Sequence, residues 1–191
     1  MSYLVRLAQA ADGGDVAEIY KPFVTSTPTS FELDPPSGAE MGEHIEEYLQ
    51  RYPFLVAEEA GRVIGYAYAG AHRVRACYVW SVDVSAYVRE GYRGQGIGRE
   101  LYRRLNAILK LQGFFHAYAG ITLPNPGSIG LHTSIGFRPV GVYEKVGFKL
   151  GAWHDVGWYQ LEIAEPIPNP GLPIWFSEVR DTEQVKEILR R

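Results

Sequence analysis

The stretch Arg93-Gly94-Gln95-Gly96-Ile97-Gly98 is the part of this sequence best suited to gripping a ligand. Glycines lack a Cβ, so main-chain N–H groups there can close on an anion. A helix is expected to begin in or just after them, because Ile97, Leu101, Leu105, Ile108 and Leu109 recur at helical spacing. The first turn of such a helix has N–H groups without intrahelical partners and carries the positive end of the helix dipole. Together these features suit a pyrophosphate. A tight turn that binds nothing would use the same residue types. Two common phosphate sites are excluded. A Walker loop needs Lys and then Ser or Thr after its last glycine, and Arg99 and Glu100 stand there instead. A dinucleotide fold carries its glycine turn after the first strand, whereas this turn comes near mid-chain after several apolar runs.

Other reactive types are sparse. Cys77 is the single cysteine and cannot form an internal disulfide, which fits a reducing compartment. It lies in an apolar run and is expected to be a small buried residue rather than a catalytic thiol. The 5 histidines show neither His-x-His nor His-Glu-x-x-His spacing, so no metal is expected.

The elements that must position this bend follow from periodicity. Tyr3 to Leu7 reads as a short strand and Asp12 to Tyr20 as a helix. Thr25 to Pro36 reads as a loop. Ser37 is expected to cap a second helix running to about Arg51, with Glu40 as its capping-box partner. Phe54–Ala57 and Val63–Tyr68 read as a β-hairpin, and Ala76 to Val88 as a long central strand. After the glycine bend and its helix, Phe115 to Ile121 is a strand. Asn125 to Ile135 is a short helix stopped by Gly136, and Phe137–Val146 and Val156–Ile163 close the sheet. This order implies a single α/β (α+β) domain, a mixed sheet with helices on its faces. The expected division is 1–164 for that domain and 165–191 for a Pro-rich linker (Pro166, Pro168, Pro170, Pro173) with a short terminal helix.

Bulk properties agree with one ordinary globular domain: 191 residues, 46% hydrophobic and 21% charged. A formal charge of -3 argues against nucleic-acid binding, which needs a concentrated basic surface. The N-terminus lacks a basic segment followed by a long apolar run, and no apolar stretch suffices for a membrane span. A soluble cytoplasmic protein, with no membrane or nucleic-acid partner, is the expectation.

Three blocks carry a resemblance. Arg93, Gly96 and Gly98 match the Arg-x-x-Gly-x-Gly motif of the GNAT family of N-acetyltransferases. Asn125-Pro126-Gly127-Ser128 through Gly136-Phe137 resembles that family's Asn-x-x-Ser/Ala…Gly-Phe segment. Arg73-Val74-Arg75 through Tyr78 and on to Val82-Asp83-Val84-Ser85-Ala86-Tyr87-Val88 resembles the phosphinothricin-type subfamily, as do Thr29–Glu32, Leu131-His132, Val146–Lys149 and Trp153–Val156. The likeness spans roughly residues 3 to 163. Asp83 stands where that subfamily has Glu, Ala86 where it has Val, Thr133 where an acidic residue follows the His, and Ala152 where a basic residue is common.

The resemblance implies a mostly antiparallel sheet of about seven strands with splayed central strands, and acetyl-CoA as cosubstrate. Its pantetheine arm would lie along Ala86-Tyr87-Val88. Its diphosphate would be held by Arg93, Gly94, Gln95, Gly96, Ile97 and Gly98, with Asn125 and Ser128 contributing. The acceptor would be the amino group of a small amino-acid-like molecule of the phosphinothricin or methionine sulfoximine or sulfone type, attacked directly without a covalent enzyme intermediate. Asp83 is the candidate base; it alternatively pairs with Arg75 or holds the substrate ammonium. His132 is the candidate acid or an alternative base. The carbonyl would be polarised by a main-chain N–H of Tyr87 or Val88. Arg73 and Arg75 are candidate clamps for an anionic substrate group; solvated strand arginines are the other reading. Phe31, Glu32, Tyr78 and Trp153 are candidates for the substrate pocket. A homodimer is implied. Acetylation of protein or peptide amines, and an acetyl-CoA sensor without chemistry, remain the alternatives.

Overall fold

The computed structural model of the chain describes residues 3–190. β1 (Leu4–Leu7) leads through a short turn into α1 (Gly13–Thr25) and α2 (Gly38–Arg51). The α2 start is fixed locally: Ser37 Oγ accepts from the Glu40 N–H and Glu40 accepts from the Ser37 N–H at 2.8 Å. Such a cap contributes about 1 kcal/mol. α1 runs five residues past the expected Tyr20, through Pro22, whose carbonyl accepts the capping N–H of Ser26. Val16, Ile19, Tyr20 and Val24 keep its inner face apolar to the end, and that face decides the length.

β2 (Phe54–Glu59) and β3 (Arg62–Ala71) form the expected hairpin, and β4 (Ser81–Val88) pairs antiparallel with β3. The long strand expected from Ala76 is shorter than its composition suggests. Ala76–Tyr78 is a 3-10 turn. β3 ends at Ala71 and the next strand, β5 (His116–Leu123), begins at His116, so residues 76–78 have no ladder to join. Strand-forming side chains cannot substitute for a partner strand. Cys77 is therefore exposed rather than buried in a strand.

α3 (Ile97–Gln112) follows the glycine bend and ends at left-handed Gly113. α4 (Pro126–Ile135) is capped by Asn125 and stopped by left-handed Gly136. β6 (Arg138–Lys149) and β7 (Ala152–Glu162) complete a seven-stranded sheet in the order β1-β2-β3-β4-β5-β7-β6. Every pair is antiparallel except β4 with β5. That parallel pair covers only Ser81–Asp83 against His116–Tyr118. Beyond Asp83 the strands part, so the sheet is splayed at its centre. α3 packs over β2, β3 and β4 on one face, with Leu101, Leu105 and Ile108 fully buried. α1 and α2 cover the other face, where Tyr20 and Phe23 meet Tyr87, and Tyr48 meets Phe54 and Tyr68, edge to face.

The tail beyond residue 164 lies on its own domain. Ile174 N–H donates to the Gln112 carbonyl and Gln112 Nε2 donates to the Ile174 carbonyl at 2.7 Å. Two helices follow, α5 (Phe176–Val179) and α6 (Glu183–Arg190). Phe176 and Val185 join the core, and Arg104 donates to the Leu189 carbonyl. Truncating a buried Phe costs about 3–5 kcal/mol, so this segment is built into the domain.

Candidate active site

The main chain of β4 beyond the splay is directional. Arg89 N–H donates to the Ile64 carbonyl, and the ladder is regular from there back to Ala71↔Val82. Alternation then turns the polar groups of Tyr87 and Ser85 toward β3, and those of Val84, Ala86 and Val88 toward the gap left by β5. Of the two amides expected to polarise a carbonyl, Val88 faces the gap and Tyr87 does not. Ala86, not expected for that role, faces it with Val88.

The gap opens into a groove of about 550 Å³ between β4, the glycine bend and α4. Gly94 (φ 75) and Gly96 (φ 84) adopt the left-handed backbone that glycine favours, and no atom lies within 4 Å of where their Cβ would be. Gly96 caps α3 without any side chain, so the first-turn N–H groups face the groove uncovered. Arg93 lies 5.0 Å over the Phe23 ring and donates to the Val88 carbonyl. Ala86, Tyr87, Val88, Arg93, Gly94, Gly96, Ile97, Gly98, Asn125 and Ser128 all line this groove. Gln95 does not; its side chain bonds back to the Gly91 carbonyl at 3.0 Å. The Asn125 side chain accepts the Ser128 N–H, so it shapes the entry to α4. A bend left open at Gly94 and Gly96, uncapped helix amides and an unpaired strand edge fit the diphosphate and amide-bearing arm of a coenzyme A.

On the opposite face, under α1 and α2, lies a cavity of about 510 Å³. Its walls include Tyr20, Glu32, Tyr48, Tyr66, Tyr68 and Trp175. Burial pushes the phenols of Tyr20, Tyr48, Tyr66 and Tyr68 up, so they stay neutral. The alternation Tyr66-Ala67-Tyr68-Ala69 in β3 was the available signal for this wall, since it sends both rings to one face. The loop above is pinned down: Tyr20 Oη and Ser30 Oγ are 2.7 Å apart, and Lys149 Nζ donates to the carbonyls of Ser30 and Glu32 at 2.7 and 2.8 Å. The Phe31 ring fills the space that a Cβ at Gly147 would take.

Asp83 is the last residue of β4 paired with β5, and on β3 it lies opposite Gly70, against which the Tyr48 ring rests. Burial raises its carboxyl above the usual range, and a hydrogen bond with His72 and the Arg73 charge partly offset this. His72 Nδ1 is 2.6 Å from Asp83 Oδ1, and the imidazole stacks on Tyr118 at 4.2 Å. Arg75 does not pair with Asp83. Sequence reasoning missed His72 because the loop between β3 and β4 hides which of its residues returns to the strand.

His132 is buried on the other side of the splay. Nδ1 lies 2.8 Å from the Ser128 carbonyl, which requires the proton there, so Nε2 accepts from Tyr102 Oη at 3.0 Å. Burial holds the imidazole below its ordinary pKa. A neutral ring with both nitrogens engaged is poorly placed to donate a proton.

The remaining candidates do not converge on one pocket. Phe31 lies 6.4 Å from His154, Tyr78 sits edge-on to His72, and Trp153 packs on Phe148 while 60% exposed. Arg73 lies 5.2 Å over the Trp158 ring. Arg73, Arg75 and Tyr78 share a second groove of about 430 Å³ with Arg51 and Leu172, so the structure brings these three candidates together and leaves Phe31 and Trp153 apart from them. That groove meets the aromatic cavity at Arg51, Tyr52 and Ala71. Among the described residues no cluster of three or more His, Cys, Asp or Glu is arranged to hold a metal, and no helix is long and apolar enough to cross a membrane.

Comparison with known proteins agrees with this geometry. The family model for the acetyltransferase (GNAT) domain matches residues 5–158. The phosphinothricin N-acetyltransferase of Streptomyces viridochromogenes is 37% identical over 89% of this chain and 93% of the relative. The L-methionine sulfoximine/L-methionine sulfone acetyltransferase of Salmonella typhimurium is 34% identical over 84% and 95%. The crystal structure of a GNAT superfamily phosphinothricin acetyltransferase from Sinorhizobium meliloti, in complex with AcCoA, superposes with a TM-score of 0.83 at 35% identity. It covers 92% of this chain and 99% of that one. Sequence, splayed sheet and glycine-lined groove thus agree: the chain belongs to the GNAT family and is an acetyl-CoA-dependent N-acetyltransferase.

Proposed function

We propose that this enzyme acetylates the α-amino group of a small amino-acid-like acceptor, of the kind named for its phosphinothricin and methionine sulfoximine relatives. The observation that carries the reading is the position of Asp83. It lies where β4 leaves β5, with the coenzyme groove beyond it and the aromatic cavity beside it. An alkyl ammonium has no free electron pair, so a proton must leave before the nitrogen can attack. A carboxylate held above its usual pKa by burial is a stronger base than a solvated one. Asp83 takes that proton directly or through one water and returns it to solvent. Bound acetyl-CoA would supply an acyl carbon whose bond to sulfur breaks as its bond to the acceptor nitrogen forms; the nitrogen sheds a second proton as it becomes an amide, and that proton goes to the departing sulfur, so CoA leaves as the thiol. The N–H groups of Ala86 and Val88 face the gap and are placed to stabilise negative charge on the carbonyl oxygen. The first-turn amides at Gly96, Ile97 and Gly98, with Arg93, hold the diphosphate.

Acceptor recognition falls to the aromatic cavity, with Glu32 and the tail residue Trp175 in its wall. Arg73 and Arg75 would meet an anionic group at the adjoining groove. We assign His132 a bracing role between α3 and α4. The exposed apolar side chains of Val140, Val142, Val146 and Phe148 on β6, with Leu150 and Trp153 beside them, favour a homodimer through the β6–β7 hairpin. A reducing cytoplasm suits an enzyme with one exposed thiol. Thiol release from acetyl-CoA over a panel of amino-acid analogues tests the activity. Saturable release with phosphinothricin or methionine sulfone supports it. Release with peptides alone would move the assignment to peptide amines, and binding of acetyl-CoA with no acceptor above background would leave a sensor.

A further inference from the structure

We infer that His72 is a positioning residue for acetyl transfer, holding one oxygen of Asp83 so that the other faces the acceptor amine. The inference rests on the reading of Asp83 as the base. The two partners are unequally exposed. The His72 side chain is 11% exposed and that of Asp83 38%. The imidazole is caged: it lies flat on Tyr118, with an interplanar angle of 14°, and the rings of Tyr78 and Trp158 stand edge-on at 6.0 Å. The carboxylate is in front of that cage. Among the described residues Oδ1 accepts only from His72, and no hydrogen bond is made by Oδ2. This is the arrangement of a base with an orienter behind it, in which the buried member fixes the rotamer and the open oxygen does the work.

The need for an orienter follows from length. An aspartate has one rotatable methylene between its carboxylate and β4, and its reach is set by one side-chain torsion and the carboxylate twist. A 2.6 Å bond to a ring that cannot move locks both. The lock also tunes the base. The groups facing the pair are Arg73 from the β3–β4 loop, Tyr48 from α2, Tyr78 from the 3-10 turn, and Tyr118 from β5. Of these, Arg73 carries the charge that helps His72 hold Asp83 ionised, while burial works against both. Removing His72 leaves burial less opposed, so the Asp83 carboxyl should titrate at higher pH and activity should fail earlier on acidification.

The experiment compares wild type, His72→Phe, His72→Asn, Asp83→Asn and the Asp83→Asn/His72→Phe double variant. It measures acetyl-CoA affinity, the pH profile of kcat/KM with methionine sulfone and phosphinothricin, and the Asp83 carboxyl titration by carbon NMR. The NMR arm needs no acceptor. Loss of an orienting partner should lower kcat about 10- to 100-fold in His72→Phe with acetyl-CoA affinity unchanged. The acid limb of the profile and the Asp83 titration should both move to higher pH. His72→Asn keeps a donor at similar reach and should recover part of the loss. In the Asp83→Asn background His72→Phe should cost nothing further, because a partner acting through Asp83 has nothing left to orient. An unshifted Asp83 titration in His72→Phe, or an additive loss in the double variant, overturns the inference while leaving Asp83 as base. Wild-type turnover in Asp83→Asn overturns the base assignment itself and the role of His72 with it.

Discussion

The two sides of the central splay are built by different means. On the coenzyme side most of the groove comes from one stretch, the free edge of β4 from Ala86, the glycine bend and the first turn of α3 to Gly98, with α4 closing it. On the side proposed for the acceptor the cavity is made of side chains from α1, α2, β2, β3, the loop after α1, and the tail. A backbone site tolerates exchange of most side chains but not of its glycines. A side-chain site can be respecified by single exchanges. One domain can thus keep one cosubstrate and change its acceptor, and variants on the two sides should fail in distinguishable ways.

The largest effect is expected where the two sides meet. Asp83→Asn removes the proton acceptor and should lower kcat by about 10²- to 10⁴-fold, with acetyl-CoA affinity nearly unchanged by calorimetry. The wild-type rate should fall as pH drops through the Asp83 pKa, which burial places above the ordinary carboxylate value. That acid limb should vanish in the variant. Unaltered turnover would mean that the junction holds no base and that the two sides act independently of it. Gly96→Val should break the coenzyme side alone. Its φ of 84 strains a β-branched residue by on the order of 1–3 kcal/mol, and the side chain would enter the cradle. An affinity loss of about 100-fold for acetyl-CoA is on the order of 2.7 kcal/mol. Unchanged affinity would refute a diphosphate at this bend.

This contrast also explains what the sequence made legible. The coenzyme side is contiguous, so its spacing survives in one dimension. Arg93 and Gly96 could be placed on a bend leading into α3, Gly98 in its first turn, and Asn125 at the start of α4, without knowing the tertiary fold. The acceptor side is assembled by topology. Phe31 and Trp153 both lie by the end of the β6–β7 hairpin, whereas Tyr78 sits beside His72. His72 reaches Asp83 only because the β3–β4 register sets Gly70 opposite it. Strand-forming composition at Ala76–Tyr78 lost to the absence of a neighbouring strand. The tail's prolines suggest extended chain, yet nothing in composition says that Trp175 reaches the cavity wall or that Phe176 enters the core.

A smaller effect should sharpen the acceptor side. Trp175 lines the cavity and stacks beneath the Arg51 guanidinium at 5.7 Å. Trp175→Ala removes an aromatic contact of about 0.5–1.5 kcal/mol. It should raise KM for the acceptor by about 2- to 10-fold, with kcat and acetyl-CoA affinity retained. A change confined to thermal stability would remove the tail from the acceptor site and leave it only a packing role.

The smallest catalytic effect is expected at His132, the one candidate on the coenzyme side chosen for side-chain chemistry. If its imidazole donated a proton to the departing sulfur, His132→Phe would cost about 10²- to 10⁴-fold in kcat and delete a limb of the pH profile. The observed bonds argue for a different outcome. Nδ1–H is held by the Ser128 carbonyl, and Nε2 accepts from a buried Tyr102 hydroxyl. Replacing the ring leaves that hydroxyl without a partner, a stability loss of about 1–3 kcal/mol, while turnover at temperatures below unfolding stays near wild type. The linkage has a definite sign. Burial lowers the folded-state pKa of His132, so the unfolded chain binds the proton more readily. Its contribution to stability is complete above the unfolded pKa of about 6.5 and is lost as pH falls below it. Tm measured against pH should therefore decline less steeply on acidification in His132→Phe than in wild type. An equal slope combined with a collapse of kcat would return His132 to the chemistry.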